Sequence, residues 1–373
     1  MIQLESLTKR FPNGQVAVDS LDLDVAGGEV CVLVGPSGCG KTTTLRMINR
    51  LVEPTSGRIV IDGDDVTRVD PVGLRRRIGY VIQQVGLFPH LTVADNVATV
   101  PRLVGWDRAR ARRRVDELLD LVGLEPARFR DRYPSELSGG QRQRVGVARA
   151  LGVDPPVLLM DEPFGAIDPI SRDRLQREFL RLQAEVRKTV VFVTHDIDEA
   201  VLLGDRIAIL REGGVLEQHA TPAEILARPA SPFVAEFVGA DRGLKRLSVT
   251  AIDIADLETL PVVAPDASLG EARRTMDRDG AAWAVAVESE GRLRGALSRR
   301  DADGDATVAE RAKPVEAEVS AAATLKDAFA ALLLNDAGWV AVVHDGRYCG
   351  VLTPESLYAA MRHSLADGSA ASR

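Results

Sequence analysis

Gly35-Pro36-Ser37-Gly38-Cys39-Gly40-Lys41-Thr42 fits the pattern G-x-x-x-x-G-K-[ST], and the fold is read outward from it. Before it lies Val30–Val34, apolar without alternation, as a strand buried on both faces reads. After it comes a helical pattern with Leu45, Ile48 and Leu51 on one face. Strand, glycine loop and helix in that order are the context in which this motif cradles phosphate. The glycines let backbone N–H groups curl around phosphate oxygens, and the helix N-terminus adds its partial positive charge. Lys41 is placed to reach the β- and γ-phosphates and the Thr42 hydroxyl to ligate Mg²⁺, with Thr43 a further nucleotide contact. The alternative, a glycine-rich turn with an incidental lysine, leaves the flanking strand and helix without a reason.

At 373 residues the chain is too long for one ordinary core, so two or three domains are expected. Hydrophobic content of 45% with 27% charged residues is that of a soluble globular protein. A formal net charge of −7 weighs against a dedicated nucleic-acid binder. No apolar run approaches the ~18 residues that span a bilayer, and the N-terminus lacks a leader pattern. A membrane role would have to come through partner subunits. Cys31, Cys39 and Cys349 are odd in number and scattered, which points to a reducing compartment rather than a disulfide framework.

Residues 1–240 alternate short β-rich runs with helical patterns, the mark of a largely parallel α/β core. Strands are expected at Ile78–Ile82, Val157–Met160, Val190–Thr194 and Arg206–Leu210, and a helical subdomain at about 88–150. The arginines from Arg108 to Arg114 read as a solvated helix face paired with Asp116, Glu117 and Asp120 rather than a nucleic-acid patch. Residues 241–246 read as a linker. Beyond it Leu269, Ala272 and Trp283 recur 56 residues later as Leu325, Ala328 and Trp339. Gly295-Ala-Leu-Ser298 recurs as Gly350-Val-Leu-Thr353. Two copies, 247–307 and 308–366, are expected to pack on each other, followed by a disordered tail at 367–373.

Asp161-Glu162 closes the buried strand at Val157–Met160. Adjacent side chains at a strand end diverge, so Asp161 can serve Mg²⁺ while Glu162 acts as general base toward the attacking water. Leu137-Ser138-Gly139-Gly140-Gln141 opens a helix, where a hydroxyl and bare N–H groups suit an anion.

With that LSGGQ string, residues 2–240 resemble the ATP-binding subunits of ABC transporters. The resemblance implies a P-loop ABC ATPase domain, an α/β RecA-like core plus helical subdomain. Phe11 matches the aromatic that stacks on adenine, though tyrosine is commoner there. Gln83 matches the loop glutamine at the metal and attacking water, with Gln84 as the alternative by one position. His195 matches the switch histidine at the γ-phosphate. Gly165-Ala-Ile-Asp168 matches the loop that crosses to the other protomer, with Ile167 where leucine is usual. The resemblance implies a homodimer in which each ATP lies between one chain's phosphate loop and the other's Ser138–Gly140. It also implies permease subunits, an indirect extracytoplasmic solute-binding protein and a peripheral place on the cytoplasmic face of the membrane.

Met47-Ile-Asn-Arg-Leu-Val-Glu-Pro-Thr-Ser-Gly57 and Ile82-Gln-Gln-Val-Gly-Leu-Phe-Pro-His-Leu-Thr92 are similar to importers of glycine betaine, carnitine, choline or proline. The repeats resemble a tandem CBS pair, an α+β domain. By that likeness Ser298 and Asp301 would hold an adenine (di)nucleotide, and Thr353 a second one, where the matching aspartate is missing. Alternatives stay open: docking on anionic lipid through Arg292, Arg294, Arg299 and Arg300, or a dimerisation module without ligand. Trp283 and Trp339 read as core packing, with a ligand-stacking platform as the other reading. Rival functions are a soluble ABC ATPase of translation or DNA repair, an importer of another solute, and a nucleotide sensor without turnover.

Overall fold

The structure is a computed structural model that describes residues 1–83, 86–165 and 167–370. The chain folds as two compact units, Met1–Ala240 and a second beginning at Asp241.

In the first unit, strands β1 (Ile2–Arg10), β2 (Val16–Val25), β4 (Ser56–Ile61) and β5 (Asp64–Asp65) form an antiparallel sheet in the order β2-β1-β4-β5. The sequence reading did not resolve this sheet, because bulges break the alternation, with Ser6 and Ser20 at positive φ. The second sheet has the order β10-β9-β3-β8-β7-β6. It comprises β3 (Val30–Val34), β6 (Ile78–Val81), β7 (Val157–Asp161), β8 (Thr189–Val193), β9 (Arg206–Arg211) and β10 (Val215–Ala220). Its inner pairs are all parallel, and only the β9–β10 edge is antiparallel. β3, β7 and β8 are buried along their whole length, which is why they read as unbroken apolar runs. Three expected strands shift by a residue at one end and the Val190–Thr194 strand by a residue at both, and the phosphate-loop helix (Lys41–Ile48) stops before Leu51, which is exposed.

Between β6 and β7 the chain carries helices from Val93 onward, joined by turns; the last, the signature helix, opens after Leu137-Ser138 and runs from Gly139 to Ala150. The arginine-rich helix (Arg108–Leu121) pairs only partly with itself. Arg114 meets Glu117 at 3.4 Å, but Asp116 pairs with Arg130 at 3.1 Å and the Arg110 guanidinium lies 3.7 Å from the Trp106 ring centroid.

At the sheet's far edge Arg206 Nε donates to His219 Nε2 at 3.2 Å, with Cys31 Sγ 3.9 Å from the same nitrogen. Burial first, and the Arg206 charge second, push the His219 pKa down to about 4. The native state therefore holds a neutral imidazole that the unfolded chain would protonate below about pH 6.5. Stability from this group is present above that value and is lost as pH falls toward 4. Urea melts of His219→Gln are expected to show a shallower loss between pH 6.5 and 4 than the unmodified chain.

In the second unit, residues 241–246 are not a linker: the helix Arg242–Leu247 buries Leu247 and Arg246. Two three-stranded sheets follow, β11 (Val262–Val263), β12 (Trp283–Val287) and β13 (Leu293–Ser298), then β14 (Glu318–Ser320), β15 (Val340–His344) and β16 (Arg347–Leu352). Each pairs its first strand parallel and its last antiparallel to the middle one, so the repeat in sequence is a repeat in topology. A Cβ on Gly295 would lie 2.5 Å from Lys313 O, and one on Gly350 2.9 Å from Glu258 O. The recurring glycine thus admits a crossing backbone in both copies. The final helix (Pro354–Ala370) continues through 367–370, part of the expected tail, and 371–373 lie outside the described residues.

Candidate functional site

The loop between β3 and its helix presents Pro36, Ser37 and Gly38 to solvent, while Gly35, Cys39, Gly40 and Lys41 are buried. Gly40 caps the helix at φ +100°, and a Cβ there would stand 2.2 Å from Ala17 O on β2. Only glycine meets both demands. Lys41 is 6% exposed, and its Nζ donates to Gly35 O at 2.7 Å and to Pro36 O at 3.0 Å, with Cys39 Sγ at 3.7 Å. The ammonium is therefore aimed back along the rim of its own loop. Burial pushes the Cys39 thiol up, partly offset by Lys41.

Thr42 Oγ1 donates to Asp161 Oδ1 at 2.8 Å, joining the phosphate-loop helix to the end of β7. Burial pushes the Asp161 carboxyl up, opposed by the Thr42 hydrogen bond and by Arg46. A hydroxyl and a carboxylate so placed are the hard oxygen donors that Mg²⁺ takes. Next to Asp161 the chain turns, and Glu162 adopts φ +43°, a region sparsely used by side-chain-bearing residues. Its N–H donates to Val193 O at 3.0 Å, which fixes this turn to β8. Gln83 Nε2 donates to Glu162 Oε2 at 2.9 Å, and His195 Nδ1 lies 3.4 Å from Glu162 Oε1. The three side chains singled out from the sequence as catalytic thus meet at one carboxylate. Gln84 lies outside the described residues.

A cavity of about 510 Å³ opens beside them, lined by Arg46, Tyr80, Gln83 and Asp161 among others. Arg46 and Tyr80 were not singled out from the sequence. Arg46 follows Thr42 by one helical turn, a spacing that would have placed it on the same face.

Ser138 and Asp168 act within their own turns. Ser138 Oγ accepts the Gln141 N–H at 3.3 Å while Gln141 Oε1 accepts the Ser138 N–H at 2.9 Å, a capping box. Both Ser138 and Gly139 are exposed, with Gly140 partly buried. Asp168 caps the helix Pro169–Val186, accepting Ser171 N–H at 3.0 Å, which holds its carboxyl below the ordinary range. Ala166, in the same loop, lies outside the described residues. Phe11, partly buried at the β1–β2 hairpin, has the Lys9 ammonium 5.3 Å from its ring centroid.

In the second unit Ser298 Oγ donates to Asp301 Oδ2 at 3.0 Å, beside a cavity of about 720 Å³ that Arg273, Arg299, Arg300 and Lys313 also line. Thr353 differs: its hydroxyl donates to Glu258 Oε1 at 2.5 Å, and Ser356, where the aspartate would stand, donates into the same turn. The basic face is largely neutralised. Arg292 pairs with Glu288 and Glu290, Arg294 with Glu288, and Arg299 with Asp277 at 2.6 Å.

The phosphate loop, the carboxylates at the end of β7 and the exposed signature cap are the parts of one ATP-hydrolysing cassette. The ABC transporter family model matches residues 18–165, and the CBS domain model matches 254–302. The chain is 48% identical to the osmoprotectant import ATP-binding protein OsmV of Salmonella typhimurium, over 95% of this chain and 94% of the relative. The chain belongs to the ABC transporter ATP-binding protein family. This ABC ATPase is also 45% identical to the glycine betaine/carnitine/choline transport ATP-binding protein OpuCA of Bacillus subtilis, over 96% of this chain and 95% of the relative. Among solved structures, the dimeric bacterial ABC transporter cassette MJ0796 matches with a TM-score of 0.54 and 38% identity, covering 59% of this chain and 98% of that one. No helix among the described residues is long and apolar enough to cross a membrane.

Proposed function

We propose that this ATPase powers import of a quaternary-ammonium osmoprotectant of the glycine betaine, carnitine or choline class, from the cytoplasmic face of a membrane and through permease subunits. The observation that carries the enzymatic half is the Glu162 carboxylate, held between Gln83 and His195 beside the phosphate loop. The solute class rests on likeness to OsmV and OpuCA over nearly the whole chain.

ATP enters as substrate, with its β- and γ-phosphates on the loop amides and Lys41 and its adenine toward Phe11. Mg²⁺ would be held by Thr42 and Asp161, with Gln83 nearby, and would supply charge neutralisation on the phosphates. Glu162 takes the proton of the attacking water. Gln83 and His195 hold that carboxylate in one orientation, so little reorganisation is needed at the moment of attack. Ser138 and Gln141 cap each other at the helix start, and the Gly139 and Gly140 N–H groups, at the first two helical positions, are left to face a partner's γ-phosphate. The expected assembly is a head-to-tail dimer with Asp168 near the crossing loop.

Purified chain reconstituted with its permease in vesicles is expected to accumulate labelled glycine betaine or choline only when ATP is supplied on the ATPase side. Accumulation of neither would remove the solute assignment.

The cavity at Ser298 and Asp301 is the proposed regulatory site for an adenine (di)nucleotide. Titration calorimetry with an adenine dinucleotide is expected to show binding that Asp301→Ala weakens at least about tenfold, the loss of one charged hydrogen-bonding group. Equal affinity in both proteins would leave the pair without this ligand.

A further inference from the structure

Trp283 and Trp339 hold the same place in the two repeats, and they touch. Their ring centroids are 6.0 Å apart with planes at 70°, an edge-to-face contact. Equivalent positions of two copies can meet only along the seam where the copies face each other. That seam is the small apolar cluster of Val285, Ala296, Trp339, Ala341 and Val351. Core packing, the reading made from the sequence, is therefore part of what these rings do.

It is not all of it. Against the pair lies a cavity of about 220 Å³, lined by both tryptophans, Lys313, Glu316 and Asp336 among others. Trp339 is only 5% exposed, yet its indole N–H has no hydrogen-bond partner among the described residues. Native proteins rarely leave a buried donor without an acceptor, because the desolvation of the N–H is then uncompensated. Asn335 does not supply one: its side chain is spent on Trp339 O at 2.8 Å and on the Ala337 N–H at 3.1 Å.

The chemistry of the walls has two signs. Indole faces, the strongest aromatic partners for a cation, stand with the carboxylates of Glu316 and Asp336. A cation without N–H groups loses least on leaving water for such a wall, which favours a quaternary ammonium over a primary amine. The Lys313 ammonium on the same wall, 3.5 Å from Asp301 Oδ2, supplies the positive charge suited to a carboxylate. The cavity is smaller than the ~300–1,000 Å³ of sites for drug-sized ligands, and smaller than the cavity of about 720 Å³ beside Asp301. It suits a solute of a few heavy atoms and not a nucleotide.

We propose that the seam between the repeats is a binding site for a small quaternary-ammonium zwitterion of the betaine type. The choice of that solute rests on the transport reading above. The consequence is that the ATPase chain itself carries a receptor for the solute released on its own side of the membrane.

The test uses the full chain carrying Trp106→Phe, which leaves the seam pair as the only tryptophans of the original three. Tetramethylammonium chloride and glycine betaine are each expected to change the intrinsic fluorescence saturably, with dissociation constants on the order of 1–10 mM, where matched sodium chloride does not. Trp283→Leu is expected to weaken both at least about tenfold. Glu316→Gln with Asp336→Asn, at exposed positions, is expected to weaken tetramethylammonium several-fold without lowering the melting temperature. The absence of a saturable change overturns the proposal. So does an equal response to the all-carbon analogue of betaine, with a quaternary carbon in place of nitrogen, or undiminished binding in Trp283→Leu. Tetramethylammonium separates this result from the transport reading: if vesicles import neither betaine nor choline but this cation still binds at the seam, only the solute assignment fails.

Discussion

Glu162→Gln is expected to bind ATP as the unmodified chain does and to hydrolyse it about 10²–10⁴-fold more slowly, the usual contribution of a positioned general base. The amide keeps the size of the carboxylate and can still accept from Gln83 Nε2, the bond that measures 2.9 Å with glutamate. What it loses is the ability to take a proton. Because hydrolysis is what would release the two chains, the ATP-bound dimer is expected to accumulate and to elute at twice the mass on size exclusion with ATP, but not with ADP. Turnover within a factor of two of the unmodified chain would falsify the assignment of Glu162 as base.

Lys41→Ala is the second change with a large expected effect. The ammonium is buried and bonded to Gly35 O and Pro36 O, so it is held at the phosphate loop before nucleotide arrives. Truncating one partner of a desolvated charged pair costs ~2–5 kcal/mol, or a loss of about 30-fold to several thousand-fold in affinity. Equilibrium binding of a fluorescent ATP analogue measures it. Lys41→Arg keeps the charge but not the compact ammonium, and is expected to recover only part of the affinity. Unchanged nucleotide affinity in Lys41→Ala would mean that the loop does not hold the phosphates.

Much of this was legible before any coordinates because the chemistry is local in sequence. Val30–Val34, the glycine loop and Lys41 are contiguous, so one stretch fixes strand, turn and helix together. Asp161 and Glu162, Gln83 and His195 each sit at the end of a buried strand, and parallel strands in one sheet deliver their ends to one edge. That is why two residues far apart in the chain, Gln83 and His195, converge on the carboxylate of a third, Glu162. Less legible was the antiparallel sheet, whose bulges at Ser6 and Ser20 interrupt the period on which strand reading depends. Residues 241–246 looked like a linker because their charged and glycine residues mask a short helix anchored by Leu247. Arg46 was missed because its one-turn spacing from Thr42 gives only a shared face, and the cavity on that face is not visible in the sequence.

The packing of β6 against the signature helix has a mechanical consequence. Gly79 stands where a Cβ would come within 2.6 Å of Ala150 O, at that helix's last turn, and within 2.4 Å of Leu158 Cδ2. Glycine there lets the β6 backbone come close to the Ala150 carbonyl, with the Leu158 and Pro155 side chains filling the rest of the space. A tilt of the helix that begins at Ser138 would press first on β6, which ends two residues before Gln83. The cap proposed to engage a partner's nucleotide and the amide proposed to steady the base would then be joined through this contact, and a single added methyl at Gly79 would disturb both.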